Sequence, residues 1–101
     1  MSTDSHSKPT AVARRCVISG RVQGVYYRAS AQQRANQAGI VGHARNLPDG
    51  SVEVLAYGQE SAVIEFIAWL WVGPSAAKVA DVIVQIVELE SAALPRHFMT
   101  F

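Results

Sequence analysis

Residues 13–39 read ARRCVISGRVQGVYYRASAQQRANQAG, and they hold the first strand, loop and helix of the fold. The β-forming run 13–19 stops at a glycine, and a second glycine follows within 20–27, a pattern typical of a strand that leads into a loop. Residues 28–38 lack glycine and proline and are rich in alanine and glutamine, and Gly39 fits a helix C-cap. The stretch therefore predicts a strand over 13–19 and a helix over 28–38.

The remaining sequence predicts a hairpin, a second helix and two further strands. Residues 40–47 and 52–56 have strand character and are separated by a Pro-Asp-Gly turn signal. A second helix is predicted over 60–72, where a Gly-Pro pair stops it, and strands are predicted over 79–87 and 96–101. The order β-α-β-β-α-β predicts an α+β fold of the ferredoxin-like, split βαβ type, with both helices on one face of an antiparallel sheet.

Length and composition set the class of protein. A chain of 101 residues that is 50% apolar and 17% charged is long enough for one domain with a core. We assign residues 12–101 to this domain and the polar residues 1–11 to a disordered leader. The start lacks an apolar signal sequence, and the longest apolar run, 66–72, is too short to cross a membrane. We therefore expect a cytoplasmic protein that does not bind a membrane.

The charge is nearly balanced overall but unevenly distributed. A formal net charge of +1 is too small for a general attraction to nucleic acid, so we expect no nucleic-acid partner. Residues 1–48 carry a formal charge of +6, whereas residues 49–101 carry −5. The first half of the chain is therefore expected to prefer an anion.

The glycine-containing loop before the first helix is one candidate site. Residues 20–28, GRVQGVYYR, are expected to present several backbone N–H groups at the positive end of the helix dipole. Arg28 opens the helix, where a cation is unfavourable unless an anion lies nearby. The loop lacks the Gly-Lys-Ser/Thr of a nucleotide-binding P-loop. Spacing alone leaves two interpretations open: an anion site, or a structural turn followed by a surface arginine.

Other candidate residues carry weaker signals. Asn46, just before the Pro-Asp-Gly turn, is either a backbone cap or a functional amide, and Arg45 is either solvated or paired with an acid of the second half. The lone Cys16 lies within a strand and is expected to be an inert core thiol. No histidines stand at metal-ligand spacing, so we expect no metal and no cofactor.

Three segments together resemble the acylphosphatases, small hydrolases of carboxylic–phosphoric anhydrides. They are GRVQGVYYR at 20–28, GHARNLPDGSVEV at 42–54 and WLWVGPSAAKV at 69–79. The resemblance implies the same ferredoxin-like fold and a metal-independent hydrolysis of small acyl phosphates to carboxylate and inorganic phosphate. It also implies that Arg28 holds the phosphate and that Asn46 positions the attacking water. The phosphate-binding loop implied by the resemblance comprises Gln23, Gly24, Val25, Tyr26 and Tyr27.

The two tyrosines depart from the commoner family pattern. Tyr26 stands where the family usually has a small or apolar residue, and Tyr27 replaces the commoner phenylalanine. Both are expected near the rim of the loop, where they would alter substrate access. The catalytic pair is unaffected by these departures.

Two other functions and the oligomeric state remain open from the sequence. The alternatives are a non-catalytic, anion-binding regulatory module and an RNA-binding sheet face, the latter weakened by the low charge. Inorganic phosphate is expected as product and inhibitor, and the chain is expected to be a monomer. The predicted helix over 60–72 nevertheless leaves Ile64, Ala68 and Trp71 on a second face. Either the C-terminal segment covers this face, or it supports weak self-association.

Overall fold

The computed structural model describes residues 10–88 and 94–101 and has the predicted element order. Of the proposed leader, residues 1–9 lie outside the described residues, and Ala11 already belongs to the first strand. The elements are β1 (Ala11–Arg21), α1 (Tyr27–Ala38), β2 (Val41–Asn46), β3 (Val52–Gln59), α2 (Glu60–Leu70), β4 (Lys78–Val87) and β5 (Phe98–Thr100).

The five strands form one sheet in the order β4-β1-β3-β2-β5. Strands β1 to β4 pair antiparallel, as predicted for the split βαβ fold. The edge strand makes the sheet mixed and not antiparallel throughout, because β5 pairs with β2 in parallel. Two hydrogen bonds fix this pairing: Gly42 N–H donates to the His97 carbonyl and Phe101 N–H to that of Ala44, both at 3.0 Å. A three-residue strand carries too little alternation for its direction to be predicted from sequence.

Both helices pack on one face of the sheet, as predicted. In α1 the buried positions include two alanines, Ala31 and Ala35, whose small side chains let the helix approach the strands closely. In α2 the residues Val63, Phe66 and Leu70 are buried, at the spacing of one helical face. The sheet meets these helices with Cys16, Ile18, Val52, Val54 and Ala56.

The outer face of α2 remains exposed. Ile64 is 61% exposed and Trp71 is 48% exposed. Of the two alternatives, coverage by the C-terminal segment is therefore wrong for the described residues: Phe98 of β5 packs against the buried Phe66 of α2, and Ile64 and Trp71 stay exposed. Neither α1 nor α2, the two helices found among the described residues, is long and apolar enough to cross a membrane.

Candidate functional site

A glycine allows the chain to leave the sheet and enter the loop. The pairing of β1 with β4 shifts register between Ser19 and Gly20. Gly20 has a φ of 118°, and a Cβ atom there would lie 2.3 Å from the Lys78 carbonyl oxygen. Any larger residue would displace β4, so this bulge requires glycine. Gly24, at the centre of the loop, also has a positive φ, of 74°.

The loop presents backbone donors at the start of α1. Within the described residues, no backbone N–H of residues 23–27 donates to another backbone oxygen. These groups lie at the end of the helix where the dipole is positive. The loop therefore has the donors that an anion would accept.

An open cleft of about 410 Å³ lies where the loop, α1, the end of β2 and β5 meet. Five of the residues predicted from the sequence line this cleft: Gly24, Tyr26, Tyr27, Arg28 and Asn46. The fold thus brings Arg28 and Asn46, which come from separate elements, to one cavity. Three further lining residues were not among the predicted site residues, although Val22 belongs to the candidate loop 20–28: Val22, Ala29 and Thr100.

The two other predicted loop residues do not line the cleft. Val25 is buried. The amide Nε2 of Gln23 donates to the carbonyl oxygens of Leu47 and Ser51, at 2.9 Å in both cases. The Gln23 side chain therefore ties the loop to the turn that follows Asn46. A role for Gln23 and Val25 as backbone donors to phosphate stays a prediction.

The expectation that Tyr27 lies near the rim of the loop is wrong, because Tyr27 is buried and anchors the start of α1. Its side chain is 1% exposed, its hydroxyl donates to the Leu70 carbonyl at 2.5 Å, and its ring centroid lies 5.8 Å from that of Trp69. Burial raises the pKa of the Tyr27 phenol, so this group stays protonated and keeps its donor. Because Tyr27 is fixed against the end of α2, the next residue, Arg28, is held at the cleft.

Arg28 contacts the end of β5. Its Nη1 donates to an oxygen of Phe101, and within the described ranges it forms no salt bridge with an Asp or Glu side chain. The sequence signalled a strand after Pro95, but it did not indicate which sheet edge that strand joins. The contact of Phe101 with Arg28 follows from the parallel pairing of β5 and was missed for that reason.

Asn46 is the last residue of β2, and other side chains stabilise the turn after it. The Asp49 carboxylate accepts hydrogen bonds from the Ser51 backbone N–H at 3.0 Å and the Ser51 hydroxyl at 2.5 Å. These bonds hold the pKa of Asp49 below its usual value. No side-chain hydrogen bond of Asn46 occurs within the described part of the chain. The turn-capping role considered for Asn46 is therefore taken by Asp49.

A group of charges lies on the sheet face opposite the helices. The Glu53 carboxylate accepts bonds from Arg15 Nε at 2.5 Å, Arg45 Nε at 2.6 Å and His43 Nε2 at 2.9 Å. Burial opposes ionisation of Glu53, but these three donors outweigh it and lower the pKa to about 2. Arg45 is thus paired with an acid of the second half, one of the two predicted alternatives.

The remaining candidates have no place in the cleft. Cys16 is fully buried, which confirms the predicted core position, and burial raises the pKa of its thiol to about 11, which favours the protonated, unreactive form. In the part of the chain that the structure describes, no three His, Cys, Asp or Glu side chains come together as metal ligands.

Comparison with known proteins identifies relatives of this fold and sequence. The acylphosphatase family model matches residues 14–98. An acylphosphatase of Xanthomonas euvesicatoria pv. vesicatoria is 61% identical over 70 residues, covering 69% of this chain and 80% of the relative. An acylphosphatase of Nitrosococcus oceani is 51% identical over 75 residues, covering 74% of this chain and 84% of the relative. The solved structure of an acylphosphatase from Coxiella burnetii superposes with a TM-score of 0.83 at 30% identity, covering 90% of this chain and 93% of that one.

Proposed function

The chain belongs to the acylphosphatase family, and we propose that it hydrolyses the carboxyl–phosphate bond of small acyl phosphates with Arg28 and Asn46 as its catalytic residues. The observation that carries this assignment is that both side chains line one cleft at the N-terminal end of α1. Within the described residues, neither side chain forms a salt bridge with an Asp or Glu side chain.

The groups that line the cleft suit the hydrolysis of an anhydride with a good leaving group. The carboxylate released from an acyl phosphate needs no proton at neutral pH, so the reaction requires no general acid. Phosphoryl transfer then depends on stabilising charge and placing water in line with the leaving group. The Arg28 guanidinium binds two phosphate oxygens at once, together with the N–H groups of residues 23–27.

In this proposal Asn46 places the attacking water. A neutral amide both donates and accepts hydrogen bonds, so it orients water without titrating. Because the turn beside it is stabilised by Asp49, the Asn46 side chain is available for this role. A non-catalytic anion-binding module would need the loop and Arg28 but would have no use for this amide.

Release of inorganic phosphate from benzoyl phosphate tests the proposed function. We expect turnover in the presence of excess EDTA to equal turnover without it, because the proposed mechanism uses no metal ion. We also expect inorganic phosphate to inhibit competitively, since it would bind the same site as the phosphate group of the substrate. Loss of turnover in EDTA that Mg²⁺ restores would contradict the mechanism, and phosphate binding without turnover would favour the anion-binding module.

We further propose that the chain works as a monomer in the cytoplasm. Its single cysteine is buried and takes part in no disulfide, which suits a reducing compartment. The exposed face of α2, with Ile64 and Trp71, is the surface on which weak self-association would depend. We expect sedimentation equilibrium to give the monomer mass for both the parent chain and Trp71→Lys. A dimer that dissociates on this substitution would instead establish self-association through α2.

A further inference from the structure

Tyr26 has a backbone conformation that is unfavourable for its residue type. Its φ of 63° and ψ of 24° lie in the left-handed region, and among the described residues it is the one non-glycine with a positive φ. Asparagine and aspartate tolerate this region through local hydrogen bonds, but a tyrosine gains none. The side chain provides no capping hydrogen bond to α1 either. The Tyr26 side chain therefore does not stabilise the local backbone conformation.

The Tyr26 ring also contributes little to the core. It is 82% exposed, whereas the ring of Tyr27, the next residue, is almost completely buried. Tyr27 bonds Leu70 and packs beside Trp69, but Tyr26 pairs with no aromatic ring in the described ranges. Glycine would suit both the conformation and the exposure better. A strained, exposed aromatic residue beside a cleft points to a role in ligand contact.

The place of Tyr26 in the cleft indicates which part of an acyl phosphate it would contact. Tyr26 lines the same cleft as Arg28 and Asn46. If the phosphate lies on Arg28 and the loop amides, the acyl group extends from the phosphate towards solvent. Of the apolar residues in the lining, Val22 and Tyr27 are buried and Ala29 is small, so Tyr26 offers the large exposed apolar surface.

We propose that Tyr26 is a specificity-determining residue whose ring packs against the acyl group of the substrate. This inference rests on the proposed function and names its substrate class: acyl phosphates with an aromatic or other flat apolar acyl group. Such a group stacks on the phenol ring, whereas a methyl group covers little of it. The strain at Tyr26 is then explained by its place at the cleft.

The test compares benzoyl phosphate with acetyl phosphate in the parent chain, Tyr26→Gly and Tyr26→Phe. For Tyr26→Gly we expect the ratio of kcat/KM on benzoyl phosphate to kcat/KM on acetyl phosphate to fall about ten-fold, mainly through the KM for benzoyl phosphate; any effect on the phosphate-binding loop acts on both substrates and cancels in this ratio. Tyr26→Phe keeps the ring and should keep the parent's ratio between the two substrates. Glycine adopts a positive φ without strain, so Tyr26→Gly should melt at or above the parent's temperature, which excludes misfolding as the cause.

A binding measurement separates the acyl contact from the chemistry. Phenyl phosphate, a phosphate ester that carries an aromatic ring, should bind more tightly than inorganic phosphate in the parent chain. The two should bind about equally in Tyr26→Gly. A ratio of kcat/KM values that Tyr26→Gly leaves unchanged, or an equal loss on both substrates, would overturn this inference while leaving the proposed function intact. A parent chain that hydrolyses neither acyl phosphate would overturn the proposed function and this inference together.

Discussion

Two arginines on opposite sides of the sheet differ in what they contact. On the open face, Arg15 donates to the Glu53 carboxylate at 2.5 Å and to the Gln85 amide oxygen at 3.0 Å. At the start of α1, Arg28 donates to an oxygen of Phe101 and, within the described residues, forms no salt bridge with an Asp or Glu side chain. Arg15 is thus paired with an acidic side chain of the sheet, whereas Arg28 has no Asp or Glu partner among the described residues and lies in a cleft that an anion can enter.

This difference shows why a surplus of basic residues does not itself mark a site. The first half of the sequence is rich in arginine, but the fold brings the acidic Glu53 of the second half against Arg15 and Arg45. What distinguishes Arg28 is its surroundings: backbone donors at a helix N-terminus and an open cleft. Substitutions at the two arginines should therefore separate stability from catalysis.

Arg28→Ala should have the largest effect on catalysis. We expect turnover of benzoyl phosphate to fall by about 10³-fold or more, because the guanidinium stabilises the charge on the transferred phosphoryl group. Arg28→Lys should lose nearly as much, since an ammonium cannot make the planar two-point contact. Steady-state kinetics on both variants, with a thermal melt to confirm folding, measures this effect.

Arg15→Ala is the matched control for that substitution. It should cost about 1–2 kcal/mol of unfolding free energy, because Glu53 loses one of three charged donors, and it should leave turnover close to the parent value. Inorganic phosphate at about ten times its dissociation constant should stabilise the parent and Arg15→Ala by roughly 1.4 kcal/mol, but not Arg28→Ala. Equal losses of turnover in both variants would remove the distinction drawn between the two arginines.

Asn46→Ala should have the next largest effect and should leave phosphate binding intact. We expect kcat to fall by roughly 10²–10³-fold, the usual loss when one positioned polar group is removed from a transition state. The phosphate-induced rise in melting temperature should persist, because Asn46 is assigned to the water and not to the phosphate. Parent turnover in Asn46→Ala would return this residue to a purely structural role.

The sequence predicted most of the fold because its periodic segments and turn residues agree with the topology. The glycine after residues 13–19, the Pro-Asp-Gly turn and the Gly-Pro pair after α2 mark where elements end. The direction and edge of β5 were not predictable, since a strand of three residues is placed by tertiary contacts such as Gly42 to His97. Tertiary contacts also decide whether the outer face of α2 is covered. Its exposure could therefore be seen only in the fold.

For the site, the sequence supplied the residue types, and the fold supplied their surroundings. Motif resemblance indicated Arg28 and Asn46, and the structure brings both to one cleft. The tie from Gln23 to the turn after Asn46 was not predictable, because a side chain that bonds two distant carbonyls leaves no periodic signal. Thr100 lines the cleft because β5 pairs in parallel with β2, and the sequence did not predict this pairing.

Glu53→Gln tests the charge group on the sheet face opposite the helices and should have the smallest effect on catalysis. Glu53 lies on the open sheet face and contacts Arg15, Arg45 and His43, not the cleft residues. We expect a loss of about 2 kcal/mol of unfolding free energy at pH 6, because three donors lose their anionic acceptor. The loss should be smaller than for a fully buried pair, since both arginines are partly exposed. Turnover should stay within about two-fold of the parent value.

The pH dependence of that loss identifies its electrostatic origin. The pKa of Glu53 is about 2 in the folded chain, below its ordinary value of 4.5, so the folded state favours the ionised form. This stabilisation is fully present above pH 4.5 and is lost as the pH falls towards 2, where folded and unfolded states both bind the proton. Urea unfolding at pH 6 and pH 2.5 measures the difference in unfolding free energy between the parent chain and Glu53→Gln. This difference, the gap, should be smaller at pH 2.5. Glu65→Gln, at an exposed α2 position with no ion pair among the described residues, should show little gap at either pH. A gap for Glu53→Gln that is the same at both pH values would mean that packing, and not the neutralised charge, is what Glu53 contributes.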